Sequence, residues 1–291
     1  RVPLEHREIL SIVLGVVLAM FIAALDQTIV STDLPTIGQE LGDFDHMSWV
    51  ASIYLLAATA VTPLYGKLSD IYGRRIVLLS GIATFVLGSL ACALAPTMMM
   101  LIGARALQGM GGGGLISLAQ TIIADVVAPR ERGRYQVYIA GVFMLSSLVG
   151  PLLGGFLTEH WHWSLIFWIN LPIGVIAIAM IAAFLKEQPT AREHDVDYFG
   201  AALMMFGVGL LMYVMTEAED VPALWVVVLT VVALASIVLL IAREKRAKEP
   251  MLPISLWRHR VMIVCNLSGV ITGAVMMAGT AFLPAYVQGV M

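Results

Sequence analysis

Charge is scarce in this chain. Only 13% of its 291 residues are Asp, Glu, Lys or Arg, against roughly 25% in an ordinary soluble domain. With 59% hydrophobic residues and a mean hydropathy of +0.89, the chain has more apolar surface than one water-soluble core can hide. Lipid is the expected solvent. An excess of positive charge is also missing: the net charge is −3, and without a basic field nucleic acid is not an expected partner. Cysteine is limited to Cys92 and Cys265, each inside a long apolar run, which excludes a disulfide framework or a cysteine metal cluster. The first apolar run lacks a small-residue cleavage site, so a cleaved signal peptide is not expected. Nor does the chain show the roughly 10-residue alternating segments of a membrane β-barrel. Helices are then the only way across a bilayer.

Such a helix needs about 20 mostly apolar residues. Nine runs qualify: 9–30, 48–65, 76–95, 97–127, 135–157, 165–185, 199–216, 223–242 and 261–290. The expected fold class is an all-α polytopic membrane protein. Basic residues set its orientation. Arg1 and Arg7 precede the first run, and Lys67, Arg74 and Arg75 follow the second. Arg130, Arg132 and Arg134 follow the fourth, Lys186 and Arg192 the sixth. Arg243, Lys245, Arg246, Lys248, Arg258 and Arg260 follow the eighth. Every Lys and Arg except Arg105 thus falls on one side. The other side carries Asp33, Glu40, Asp43, Asp45, Glu159, Glu217, Glu219 and Asp220. The positive-inside rule puts the N-terminus in the cytoplasm, and the alternation supports the number of spans. Tyr54, Trp161, Trp163, Trp168, Trp225 and Trp257 lie near span ends, where aromatic belts form.

Two charges stand inside the apolar runs. A mid-bilayer acid costs about 2.5–3.5 kcal/mol on insertion scales and usually lines a pathway. Asp26 is such an acid, in Leu25-Asp26-Gln27-Thr28-Ile29-Val30; a structural acid paired to a neighbour is the plainer alternative. Asp33 lies seven residues on, near the same helical face, and is expected at the outer mouth. Arg105 needs a partner. Counted from the ends of their spans, Asp26 and Arg105 differ in depth by roughly 5 Å at 1.5 Å rise per residue, level enough to communicate directly or through water. Burial disfavours an ionised carboxylate and a nearby guanidinium favours it, so moving Arg105 or bringing up a cationic substrate would shift protonation. Gln108 shares the face of Arg105, and Gly111 to Gly114 follow, where glycine permits close helix approach.

Other motifs sit in loops and later spans. Gly66-Lys67-Leu68-Ser69-Asp70-Ile71-Tyr72-Gly73-Arg74-Arg75 follows the second run; its two glycines favour a tight turn, and its acid and arginines can bridge helix ends. Asp125, at the inner end of the fourth run, is a partner for an arginine. The fifth run holds Gly141 and then Gly150-Pro151-Leu152-Leu153-Gly154-Gly155. Its proline frees a backbone carbonyl, and its glycines make a smooth, close-packed face. His160 and His162 at i, i+2 are better explained by the aromatic belt around them than by a metal.

Together these motifs resemble those of the major facilitator superfamily, and within it the fourteen-span drug:proton antiporters of the EmrB/QacA type. The resemblance rests on the Asp70 loop, the Asp26 segment with Leu34-Pro35-Thr36-Ile37, Arg105-Ala106-Leu107-Gln108-Gly109, and Gly150-Pro151-x-x-Gly154-Gly155. It also rests on Ile166-Phe167-Trp168-Ile169-Asn170-Leu171-Pro172, Asp197-Tyr198-Phe199-Gly200, Glu249-Pro250-Met251-Leu252-Pro253 and Leu283-Pro284-Ala285-Tyr286-Val287-Gln288. The longer antiporter pattern expects glycine where this chain has Val137 and Ser146.

The resemblance implies a major facilitator fold. Residues 1–186 would be the N-terminal six-helix bundle with 3+3 inverted repeats, 187–260 a linker region with two extra spans, and 261–291 the first helix of an incomplete C-terminal bundle. It implies proton and substrate coupling by Asp26, Arg105 and Asp33. Gly66, Asp70, Gly73, Arg74, Arg75 and Asp125 would form a conformational latch, and Gly141, Gly150, Pro151, Gly154 and Gly155 an antiporter motif. Gln27, Gln108, Gln120 and Asn170 are cavity candidates, helped by adaptable methionines such as Met98–Met100. The expectation is a non-enzymatic plasma (inner) membrane exporter of lipophilic drugs. It would be driven by a proton gradient with no cofactor or metal, and its partners are substrate, protons and lipid. A periplasmic adaptor is not legible in the sequence. Because the chain stops inside the ninth run, it reads as part of a longer parent. The alternatives are an exporter of a lipid or metabolite, a membrane enzyme for which no catalytic constellation is present, and a non-transporting sensor, which the two buried charges argue against.

Overall fold

The computed structural model describes residues 6–128, 130–185, 198–217, 221–245 and 259–290. Among them are ten helices and no strand: α1 (His6–Leu41), α2 (Met47–Tyr72), α3 (Arg74–Ala93), α4 (Met98–Val126), α5 (Arg132–His160), α6 (Leu165–Trp168), α7 (Asn170–Phe184), α8 (Tyr198–Glu217), α9 (Ala223–Glu244) and α10 (Arg260–Val290). The expected Lys186, Arg192, Asp197, Glu249–Pro253 and Trp257 features lie outside the described residues, as do the side chains of Leu283–Gln288.

Two helices overrun their apolar runs. α1 continues eleven residues beyond Val30, to Leu41, through a polar stretch and Pro35. It can do so because that stretch satisfies its own groups: the Ser31 and Thr32 hydroxyls donate to the Thr28 carbonyl at 2.9 and 3.0 Å. α2 likewise stays helical to Tyr72. Gly66 is therefore inside a helix and faces open space, so it does not form the expected turn. Only Gly73 turns the chain, at φ +93°, a conformation that costs glycine no Cβ clash. The sixth run is broken at Ile169 into α6 and α7, so that Asn170 opens α7.

Six helical segments among the described residues are long and apolar enough to cross a membrane: α1, α2, α3, α5, α6–α7 together, and α9. The apolar parts of α8 and of the described α10 are shorter. α4 has the length, at 29 residues, but its glycines, glutamines and Arg105 lower its apolarity. Its place in the fold explains this: α4 packs along α2 and α3 and against α1, so it meets protein on most sides and needs little lipid-compatible surface. The glycines make that packing physical. A Cβ on Gly111 would overlap the Phe85 backbone, on Gly113 the Ala58 carbonyl, and on Gly114 the Tyr65 ring.

Around α4, two apolar clusters fill the interior. One joins Val16, Met20, Ala23, Leu78, Ile82, Phe85, Leu115 and Ala119 toward one end. The other joins Leu25, Ile29, Ile37, Leu101, Ile166 and Phe167 toward the opposite end. α5 buries one stripe, Tyr135, Ile139, Val142, Ser146, Gly150, Gly154 and Leu157, against α1. Its other faces expose Met144, Leu148, Leu152 and Phe156. Contiguous apolar exposure of this kind is costly in water and natural in lipid or against further helices. α8 and α9 pair with each other, and α8 rests on α2 through Trp49 and Tyr213, ring centroids 5.6 Å apart. The described side chains of α10 are exposed.

Candidate functional site

A buried charge needs a counter-charge and a full set of hydrogen bonds, and the centre of the bundle supplies both. Asp26 of α1 and Arg105 of α4 are each 1% exposed. Arg105 Nη1 lies 2.5 Å from Asp26 Oδ2. The other oxygen, Oδ1, accepts from Gln108 Nε2 at 2.7 Å and Asn170 Nδ2 at 2.8 Å. The depth estimate from the sequence is thus met by direct contact, with no intervening water needed.

Three more elements complete the site. Arg105 Nη1 also donates to Gln108 Oε1 at 2.6 Å, and its Nε to the Val50 carbonyl of α2 at 3.0 Å. Its guanidinium lies over the Tyr54 ring, 4.3 Å from the centroid, and Gln27 lies beside Tyr54. On α3, Ser89 Oγ accepts from Gln108 at 2.8 Å and Asn170 at 3.2 Å, while Cys92 Sγ donates to Gln108 Oε1 at 3.5 Å. Gly88 makes this possible, since a Cβ there would sit 2.5 Å from the Gln108 Cα. The site therefore draws on α1, α2, α3, α4 and α7.

Of the cavity candidates, Gln108 and Asn170 touch Asp26 and Gln27 adjoins them. Gln120 is exposed, twelve residues along α4 from Gln108, and takes no part. Ser89, Cys92 and Tyr54 are not among the site candidates of the sequence reading. Ser89 and Cys92 are polar side chains one helical turn apart in an apolar run, a faint signal. Tyr54 is expected in an aromatic belt but is 1% exposed, because a guanidinium over its face attracts the ring electrostatically. Trp163 is also buried, at 3%, packing edge-on to Phe167; Trp161, Trp168 and Trp225 are exposed.

Asp33 differs from expectation. It faces no open mouth: it is 2% exposed and seated on α5, its Oδ1 accepting from Thr158 Oγ1 at 3.1 Å. Seven residues beyond Asp26, the neighbour of α1 has changed from α4 to α5. Gly150 and Gly154 pack on α1 at Thr28 and Asp33, and Thr28 Oγ1 donates to the Ser146 carbonyl at 2.9 Å. Gly141 and Gly155 have open space beside them, so only half of the expected glycine face is close-packed. Pro151 is exposed within α5.

The charged loop brings three helix ends together. Arg74 pairs with Asp70 at 2.5 Å and with Asp125 of α4 at 3.2 Å, and it donates to Ser69 Oγ. Arg75 Nη2 donates to the Ala182 carbonyl at 2.7 Å, at the end of α7, where a cation also suits the helix dipole. Arg132 does the same for α4 through the Ala124 carbonyl at 2.6 Å; neither Ser69 nor Arg132 is singled out by the sequence. At the opposite end, His162 pairs with Glu40 at 3.3 Å, and His160 bonds the Phe156 carbonyl.

The Major Facilitator Superfamily profile matches residues 16–291. Multidrug resistance protein 3 of Bacillus subtilis is 35% identical over 284 residues, which cover 96% of this chain and 55% of that protein. The multidrug transporter protein MdtP of the same organism is 36% identical over 282 residues, covering 96% and 52%. The efflux pump dotC of Dothistroma septosporum is 37% identical over 287 residues, covering 95% and 49%. The chain thus spans about half the length of the curated relatives it matches. Among solved structures, the human organic anion transporter MFSD10 superposes with a TM-score of 0.57 at 21% identity, covering 70% of this chain and 55% of that one. The xylose transporter XylE from E. coli gives 0.54 at 13% identity, covering 77% and 57%; these two likenesses speak to the fold. A buried acid–arginine pair inside an all-helical, lipid-facing bundle and a profile match over nearly its whole length agree: the chain belongs to the major facilitator superfamily of membrane transporters.

Proposed function

We propose that the chain is the N-terminal portion of a proton-coupled exporter of lipophilic, often cationic, compounds that works by alternating-access antiport. The observation that carries this reading is the sealed ion pair between Asp26 and Arg105. Protonating Asp26 removes the charge that holds Arg105. Breaking a buried pair costs about 3–5 kcal/mol when one charge is left uncompensated. A proton crossing 100 mV supplies about 2.3 kcal/mol, and each unit of pH gradient adds about 1.4 kcal/mol. The driving force and the cost are the same size, so one proton can switch the pair. The similarity to a multidrug resistance protein and a multidrug transporter of Bacillus subtilis supports the substrate class.

On this reading residues 1–186 form one six-helix bundle, 187–260 carry two additional spans, and 261–291 begin a second bundle that completes the cavity. The loops bearing Arg74, Arg75 and Arg132 face the cytoplasm of a plasma (inner) membrane protein, and the Arg74–Asp70–Asp125 cluster is a latch made in one conformation and broken in the other. The gradient replaces any cofactor. Efflux of a lipophilic cationic dye from energised cells making the full-length protein tests this, with Asp26→Asn and a protonophore as comparisons. Loss of efflux with either treatment is the expected result. A protonophore-insensitive efflux would overturn proton coupling, and no dye movement at all would overturn the drug-export reading.

A further inference from the structure

Two carboxyl groups on α1 are sealed from solvent, and the fold treats them differently. Asp26 has a guanidinium on one oxygen and two amides on the other. Asp33 has a single hydroxyl, Thr158 Oγ1, on Oδ1, while its Oδ2 is buried with no hydrogen-bond partner. The Thr158 hydroxyl has one proton to give, and the Gly154 and Gly155 carbonyls compete for it at 2.9 and 3.3 Å. Gly154 forms the floor of the seat, since a Cβ there would overlap Oδ2.

Among the described residues, no cation compensates Asp33. On α1 the nearest ionisable groups are Asp26, already paired, and Glu40, paired with His162. Arg105 of α4 is committed to Asp26. α5 offers Glu159 and His160, both exposed, and α6 and α7 carry no titratable side chain. On α2, Tyr54 is held at Arg105, and Lys67 and Asp70 lie at the far end. An ionised carboxylate in such surroundings is far costlier than a neutral acid.

We propose that Asp33 is a second proton-binding site, distinct from Asp26, which carries its proton on Oδ2 while α1 and α5 are packed at Gly154 and gives it to water when that contact opens. The part this plays in transport rests on the proton-coupled reading; the presence of the proton does not. The two acids of α1 then start from opposite states, one ionised and paired, the other neutral and seated.

Infrared spectra of the full-length protein in lipid nanodiscs at neutral pH test the proposal. A carbonyl stretch of a protonated, buried carboxylic acid is expected in the wild type and in Asp26→Asn, and its loss in Asp33→Asn. Asparagine is a neutral isostere of the protonated acid, so this variant is expected to keep the wild-type melting temperature. Thr158→Val guards against a folding artefact, because it should shift the band by removing its one hydrogen bond without deleting it. A spectrum unchanged by Asp33→Asn overturns the proposal, as does a sodium-dependent shift of the Asp33 signal, which would mark a cation ligand instead. Dye efflux separates the two readings: an Asp33 band with protonophore-insensitive efflux sinks proton coupling and leaves the site, whereas coupled efflux without the band sinks the site alone.

Discussion

At the scale of single residues, Asp26 and Arg105 are unequal partners. Removing Arg105 leaves a carboxylate buried among amides, whereas Asp26→Asn keeps a hydrogen-bonding group in place and leaves a guanidinium that still has Val50, Gln108 and Tyr54. Arg105→Ala is therefore expected to destabilise the protein by about 3–5 kcal/mol, and Asp26→Asn by less, in thermal melts of the purified full-length protein. Pairing Arg105→Met with Asp26→Leu should recover much of that loss while efflux stays absent, since apolar replacement of a whole buried pair is often neutral. Arg105→Lys is not conservative here, because the ammonium cannot serve both the carboxylate and the Val50 carbonyl from one planar fork.

Between helices, close approach decides. The contact faces of α4 are its glycines, and Gly111→Ala or Gly113→Ala must push α4 off α3 or α2. Each should cost about 1–3 kcal/mol or more, as overpacking does. Gly103→Ala, on the same helix with open space beside it, should be neutral or slightly stabilising; melting temperatures of the three variants check the contrast. The loop cluster behaves otherwise. Arg74 is 28% exposed and Asp125 38%, so Asp125→Asn should change stability by no more than about 1 kcal/mol. Its expected effect is on the rate of dye efflux, through the balance between conformations. Much at this scale is legible in the sequence: that Asp125 meets an arginine follows from charge at neighbouring helix ends, though not that the arginine is Arg74, and the glycine run announces tight packing. The break at Ile169 carries a signal, Asn170 and Pro172 just after it, which suit a helix start, but it lies inside one continuous apolar run and is passed over when spans are found by run length alone. The unequal role of the α5 glycines is not legible, since which of them meets α1 depends on how the two helices cross.

The molecule as a whole is a bundle with polar groups at its centre and apolar side chains on its surface. Its two ends are chemically distinct. One carries the Arg74, Arg75 and Arg132 contacts, the other the Asp43–His46 and Glu40–His162 pairs. If the basic end faces the cytoplasm, as proposed, a membrane-impermeant thiol reagent applied to intact cells should label Phe44→Cys and spare Glu131→Cys in a cysteine-replaced background. The reverse pattern would invert the orientation.

Composition and pattern alone determined that this chain is helical, crosses lipid, has its basic loops on one side and carries an acid and an arginine at similar depth. These are one-dimensional properties: apolar run length, loop charge and rise per residue need no knowledge of neighbours. Only the tertiary structure decided that Asp26 reaches Arg105 directly, that Ser89, Cys92 and Tyr54 join them from two other helices, and that Asp33 turns to α5 instead of open space. Each of those outcomes depends on which helix stands beside α1 at a given depth, and that is set by helix crossings and by glycines on the partner helix, Gly88 and Gly154 among them.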